Sequence, residues 1–571
     1  MGDRIDNSSL RLAGWIRFLI IITGIILAAS SLSVLKLRLD LTEDKRYTLS
    51  DPSKKILSGL KNDIFVQVYL DGEMPVPLKR LRRSVSEMLD EFRIASGRKI
   101  DYEFINPSEA ESVKDREKQY EYLLGKGLLP VNIQASDNEG GATRKIVFPG
   151  MLINSNGIEV AVNFLKNNQS VPYEQNILNS VEGLEYELIQ TISTLVSDTV
   201  YKIAFIEGHG ELSEIETADI TLNLAKYFTV DRGIINGKTG VLDNYSAIVI
   251  AGPEKEFSEA DKLVIDQYIV NGGKVLWLYE EVAVNADSLA TGSTVAIYRP
   301  LNLEDMLFRY GARINPEIVQ DITCQPIRMM VMQGGARQQV ITVPWIYNPV
   351  LAASNAHPVT RNINGVKAEF ANYIDTVGLD SSIRKTVLLR TSKSSRTVAP
   401  PLIIALKDAE NLPDEQSFTR KDLPVAVLLE GTFSSAFANR PVNKITEDQV
   451  FEFRKQGRET KMIVVADADI IRNEVKHNGI QQMPMTLGQD KYTGQIYGNR
   501  DFLVNCLNWM VDDKGLMELR SREMKMRTLN SAKVKTEKLK WQLINSVGPL
   551  LLVLLAGLAF NYFRKRRYTG Y

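Results

Sequence analysis

The chain has 571 residues, more than one hydrophobic core usually supports, so two or three folded units are expected. Charge is balanced, 69 Lys and Arg against 69 Asp and Glu, which excludes the basic excess of a dedicated nucleic-acid binder. Two cysteines (Cys324, Cys506) and three histidines (His209, His357, His477) exclude a disulfide scaffold, a zinc ribbon and a histidine-rich metal centre, and a mean hydropathy of −0.13 is too low for a polytopic transporter.

Two local stretches depart from these averages. From Phe18 to Leu35 the chain reads FLIIITGIILAASSLSVL, 18 residues without a charge, which is the lower range of a membrane-spanning helix. From Leu543 to Phe563 it reads LINSVGPLLLVLLAGLAFNYF, again uncharged. Arg4, Arg11 and Arg17 precede the first run, and Arg564, Lys565, Arg566 and Arg567 follow the second. The positive-inside rule then places both tails (1–17 and 564–571) in the cytoplasm and everything between the spans outside. Small residues Ala28 to Ser31 would suit a signal peptidase, but the apolar run continues past them, so an uncleaved anchor is expected.

In the outer part, Asp51-Pro52 opens a short helix that Gly59 is expected to close in left-handed geometry. Ile64 to Leu70 reads as a strand. Leu78, Leu81, Val85, Met88, Leu89 and Phe92 form one helical stripe, and Lys99 to Ile105 alternates as a second strand, completing a β-α-β unit. Lys79, Arg80, Arg82 and Arg83 read as the solvated face of that helix. DNEGG (137–141) and NSNG (154–157) are turns between antiparallel strands. Ile177, Val181, Leu184, Leu188, Ile192 and Leu195 make a further stripe that ends near Ser197, the expected boundary of a first outer domain (36–197).

A second outer domain (198–512) begins with a strand, Tyr201 to Ile206. Ser213 with Glu216 makes a capping box for a helix expected to reach Phe228. Ala247 to Ala251 is the next strand, Ser258 and Asp261 open a helix that Gly272-Gly273 ends, and Lys274 to Tyr279 is a third strand. The alternation implies a parallel, helix-covered sheet. Further strands are expected at 386–389, 402–406, 425–429 and 462–466, whereas 280–383, scattered with Gly, Pro and Asn, reads as irregular. Residues 513–540 form a basic juxtamembrane helix whose lysines suit lipid headgroups.

Gly233-Ile-Ile-Asn-Gly237-Lys238-Thr239 lacks the four-residue gap that lets a P-loop ring a phosphate, and it reads as following a helix, so no ATP site is expected. Gly208-His209-Gly210-Glu211 stands between a strand and a helix, but Ser213 replaces the third glycine of a dinucleotide fingerprint. Neither cysteine, and no serine, sits in a nucleophile elbow. The C-terminal edge of a parallel sheet is nonetheless where α/β folds hold ligands. Glu207, His209 and Glu211 are therefore the leading candidate binding residues, followed by Asp467 and Asp469 at the end of strand 462–466, where capping or a turn is the plainer role. No catalytic residue, metal or cofactor is expected.

RYTLSDPSKKILSGL (46–60), KIAFIEGHGELS (202–213), AIVIAGPEKEFSEADKLVIDQYIVNGGKVLWL (247–278), VVADADI (464–470) and GNRDFLVNCLNWM (498–510) together resemble the gliding-motility-associated (GldG) family of ABC-transport auxiliary proteins. That resemblance implies a non-catalytic subunit, two-pass in the bacterial inner membrane with a large periplasmic region, working with a separate polytopic permease and a separate ATPase. It also implies that the second domain is flavodoxin-type, like class I amidotransferases and intraflagellar-transport-like domains. The elbow cysteine of the active amidotransferases is missing here. The first domain is similar in order to thioredoxin-like units, without C-x-x-C. A periplasmic hydrolase or transferase built on Glu207, His209 and Glu211, and a purely structural link in the envelope machinery, are the alternatives.

Overall fold

The computed structural model describes residues 48–109, 112–136, 142–165, 172–197, 200–333, 337–378, 382–442, 445, 452–479, 481–521 and 531–568, with 15–16, 18–24 and 26–27 near the start. One compact unit ends at Arg522, and a second is built on a single long helix, Ser531–Tyr568.

The first sheet has four strands. Ile64–Val68 lies parallel to Ile100–Phe104 on one side and antiparallel to Gly150–Ser155 on the other, which in turn pairs with Ile158–Asn163. The tight turn between the last two comes from Asn156 and Gly157, both at positive φ (52° and 80°), the geometry whose twist matches a hairpin. Helix Val76–Ala95 buries Leu78, Leu81, Val85, Leu89 and Phe92, the expected stripe. Helix Tyr173–Val196 buries Ile177, Leu184, Leu188 and Ile192. Helix Asp51–Ser58 is capped by the Ser50 hydroxyl, but Gly59 closes it at φ −88°, outside the left-handed region, because the turn satisfies its N–H on the carbonyls of Lys55 and Ile56 without reversing φ. DNEGG lies outside the described residues, and the strands flanking it, Val131–Ser136 and Ala142–Val147, pair antiparallel.

The second sheet is mixed, not wholly parallel as expected. Five parallel strands stand in the order Thr229–Ile234, Lys202–Glu207, Ala247–Ala251, Val275–Leu278, Gln456–Val465. Numbered along the chain, that order is 2-1-3-4-5. From the fifth strand the sheet continues antiparallel through Pro424–Ser434, Ile383–Arg390, Arg337–Ala353 and Cys324–Gln333. The stretch 280–383, read as irregular, is largely strand, including Ala312–Asn315 paired with Tyr373–Thr376 and Ile318–Asp321 paired with Ser395–Val398. Three further expectations change. The Ser213 turn does not open a helix at once: Glu216 reaches back to the Ser213 N–H, but the helix covers only Ala218–Leu224. Gly233 and Ile234 end an edge strand instead of following a helix, so the P-loop context fails for a different reason. The strand expected at 386–389 spans Ile383–Arg390.

One continuous apolar core joins the two sheets, running from Leu78 and Phe92 through Tyr186 and Ile189 to Phe205, Trp277 and Val464. In the second unit, Thr536–Arg567 is long and apolar enough to cross a membrane, with a hydropathy of 2.2 in its most apolar window. Of the first apolar run, residues 18–24 and 26–27 are helical and exposed, and 28–35 lie outside the described residues.

Candidate functional site

The chain-order reversal among the five parallel strands occurs at Lys202–Glu207, so the turn that follows it occupies the topological switch point of the sheet. Gly208 (φ 117°) and Gly210 (φ 79°) let the backbone fold His209 inward. The imidazole is buried, 6% exposed, and stacked on Phe257 with ring centroids 3.7 Å apart. Both its nitrogens are engaged: Nδ1 stands 3.1 Å from Glu211 Oε1 and Nε2 stands 3.2 Å from Asp261 Oδ2. The His209 N–H donates to the other Glu211 oxygen, and its carbonyl accepts from the N–H groups of Glu254 and Lys255. Asp261 is fixed in turn by the Ser258 hydroxyl and the Gly237 N–H.

Burial alone would push the His209 pKa down. Hydrogen bonds to Asp261 and Glu211 outweigh it and carry the pKa up to about 9. The same bond, as the first cause, holds Asp261 below the usual carboxylate range. At neutral pH the group is an imidazolium donating from both nitrogens, with no lone pair left to take a proton. The backbone at Gly252, past the next strand, is closely packed: a Cβ there would stand 3.1 Å from Leu212 and 3.2 Å from Ala468. Glu207, on the rim, accepts from Arg232 Nε at 2.6 Å, and Arg232 also reaches Thr217 and the Leu212 carbonyl.

Asp467 and Asp469 lie on the same edge of the sheet, past its fifth strand. Asp467 is fully buried and accepts the N–H groups of Glu369 (2.8 Å) and Asp469 (2.7 Å). Burial, with Asp469 and Glu280 nearby, raises its pKa well above the carboxylate range. Burial likewise pushes Asp469 up to about 7 against the opposing pull of Arg472, with which it pairs.

These two groups of sequence candidates are linked by residues that sequence reasoning missed. Glu280 caps the Ala468 N–H and pairs with Arg299 at 3.2 Å; Arg299 approaches Glu254 at 4.0 Å, and Glu254 is bonded to the His209 carbonyl. Lys367, 4% exposed, lies between Glu369 and Glu474. Of the linking residues, only Glu280 carried a signal, its place just past strand 274–279. The arrangement is a self-neutralising lattice of ion pairs that locks the edge of the sheet. Among the described residues no group of three or more His, Cys, Asp or Glu side chains is placed to hold a metal ion. Burial raises both thiols, Cys324 up to about 11 and Cys506 well above the usual thiol range, so neither is a poised nucleophile. A cleft of about 720 Å³ lies at the opposite, N-terminal edge of the sheet, beside Tyr201, Asp243, Tyr245, Gln267 and Lys274.

The model of the family described as an ABC-type uncharacterized transport system matches residues 201–506, more than half of the chain. The chain belongs to that family. Residues 43–154 match a domain of unknown function, DUF7088. An uncharacterized protein of Borreliella burgdorferi is 22% identical over 389 residues, covering 66% of this chain and 70% of the relative. The solved mmIFT52 N-terminal domain is similar at 13% identity and a TM-score of 0.31, over 55% of this chain and 98% of that domain. The family and the apolar helix Thr536–Arg567 give a membrane-associated accessory role in an ABC transport system.

Proposed function

We propose that this protein is a non-catalytic, two-pass inner-membrane subunit of an ABC transporter complex required for gliding motility. Its periplasmic region binds a partner or substrate while a separate permease and a separate ATPase supply the pathway and the energy. Family membership over 201–506 carries the reading. The double carboxylate grip on His209 supports it, because a base with both nitrogens occupied is a poor start for a hydrolase. The 2-1-3-4-5 order of the parallel strands favours a flavodoxin-type module for 198–512, and the 2-1-3-4 chain order of the first sheet favours a thioredoxin-like one for 36–197. Within this reading, Glu207, His209, Glu211, Asp467 and Asp469 shape the partner-facing edge as fixed scaffolding. Affinity purification of the full chain from detergent-extracted membranes is expected to recover a polytopic permease and an ATPase in fixed ratio; recovery of the chain alone, at native expression, overturns the reading.

Two further results are expected. With both native cysteines replaced, Glu256→Cys should react with a membrane-impermeant thiol reagent in intact cells while Tyr568→Cys stays protected; a labelled tail would sink the two-span topology. The purified protein should neither hydrolyse ATP nor release ammonia from glutamine. Turnover of either that a single substitution abolishes would restore the enzyme reading.

A further inference from the structure

Before the long helix, the chain from Asp512 to Ser521 forms a strap. It leaves the end of helix Asn499–Val511, and the Asp512 carboxylate bonds the N–H groups of Lys514 (3.0 Å) and Met517 (2.7 Å), which folds it back. Leu516, Met517 and Leu519 are buried in the shared core. On one side the strap holds helix Tyr173–Val196: Lys514 donates to the Ser193 hydroxyl at 3.0 Å, and the buried Tyr186 hydroxyl donates to Met517 Sδ at 2.8 Å. On the other side Arg520 reaches into the large-sheet region. Its Nε donates to the Pro358 carbonyl (3.1 Å), one terminal nitrogen to Asn505 Oδ1 (3.0 Å) and the other to the Arg361 carbonyl (3.0 Å). The same guanidinium lies over the Tyr186 ring, 5.3 Å from its centroid.

Arg520 thus spends all three of its nitrogens on fixed acceptors from two separate segments and its face on a third. Such a planar fork gives up little entropy per bond and does not slide between alternative partners. Asn505 is itself tied to the Val359 carbonyl, so the acceptors are held as well.

We propose that this strap is a clutch. Seated, it makes the four-stranded region, through helix Tyr173–Val196, and the large-sheet region move as one body. Unseated at Arg520, it frees the two regions to move separately while each keeps its fold. The use of such a clutch in transport rests on the accessory reading above; the coupling itself does not.

The test uses the full chain in detergent, with Cys324 and Cys506 replaced and spin labels at Glu117→Cys and Glu256→Cys, one exposed site in each region. The wild-type background should give a narrow interlabel distance distribution. Arg520→Ala should broaden it at least about twofold and speed amide exchange over residues 184–193 by about tenfold or more, consistent with loss of several bonds to a charged group, and leave strand Ala247–Ala251 as protected as before. Arg520→Lys, which keeps the charge but not the fork, should fall between, and Tyr186→Phe should give a weaker form of the same pattern. Unchanged width and protection in Arg520→Ala overturn the clutch. So does loss of protection in Ala247–Ala251, because Arg520 would then support the whole fold instead of the joint. A narrow distribution that Arg520→Ala broadens, in a chain that co-purifies with no permease, would sink the accessory reading and leave the clutch standing.

Discussion

Replacing His209 with alanine is expected to lower the melting temperature of the compact unit that ends at Arg522 by roughly 5 to 10 °C and to abolish a pH dependence expected of the native protein. The substitution removes a buried cation from between Glu211 and Asp261 and leaves two carboxylates facing an apolar void lined by Phe257. Breaking one side of a buried ion pair costs about 3–5 kcal/mol, and in a unit of this size each kcal/mol is worth about 2 °C. The pH profile follows from the direction of the shift. The folded-state pKa is about 9 against 6.5 for a free histidine, so the stabilisation is fully present below the unfolded value and is lost as pH rises through the folded one. A difference of about 2.5 units corresponds to ~3 kcal/mol. The depressed pKa of Asp261 reports the same bond from its other end and adds nothing further. Thermal melts from pH 6 to 10 should fall steadily for the native chain and stay nearly flat for His209→Ala. A variant that melts with the native protein at pH 7, or that keeps the native slope, would remove His209 from the framework.

That result bears on how a site looks in sequence. Glu207, His209 and Glu211 were legible because a strand ending in a Gly-x-Gly turn places its next side chains at a sheet edge, whatever the fold around it. What His209 does there was not legible, since the deciding partner, Asp261, sits 52 positions along, and on sequence it read only as part of a helix start. The same holds for Arg299 but not for Arg472. Arg472 lies three residues past Asp469 and was within reach of a local rule, but Arg299 meets Glu280 and Glu254 only after the intervening strands have paired.

The fold divides along the same line. Helices Val76–Ala95 and Tyr173–Val196 were readable from period alone, because each buries an apolar stripe, although the second also buries Tyr186 and Ile189, which the period did not mark. The stretch 280–383 was not: Cys324–Gln333 and Arg337–Ala353 are long and pair with each other as a hairpin, but several of the other strands are short and find partners far away. Ala312–Asn315 pairs some 60 residues on and Ile318–Asp321 some 75 residues on, and strand propensity expresses packing context more than local preference.

The last expectation concerns the long helix. Ser531–Tyr568 has 38 residues and continues through Pro549; at 1.5 Å per residue it is about 57 Å long. A bilayer core of about 30 Å needs some 20 of those residues, which the apolar run from Leu543 to Phe563 supplies. The turns before it carry Lys533, Lys535, Lys538 and Lys540, with Trp541 bonded to Glu537 at 2.9 Å one turn back. Lysine stems and an indole at that level suit a headgroup layer, and the helix runs from these polar turns into the apolar run without a break. A continuous helix passes rotation and tilt from its buried turns to its outer turns; a flexible chain passes only tension. On the function proposed above, inserting seven Gly and Ser residues after Lys535 is therefore expected to abolish transport while the complex still assembles and the compact unit that ends at Arg522 keeps its native melting temperature. A seven-residue insert rich in Ala, Glu and Lys at the same place adds about two helical turns, keeps the faces nearly in phase and should retain most of the function. Loss with both inserts would mean that length, not stiffness, is sensed. Function surviving the Gly-Ser insert would reduce the helix to a tether.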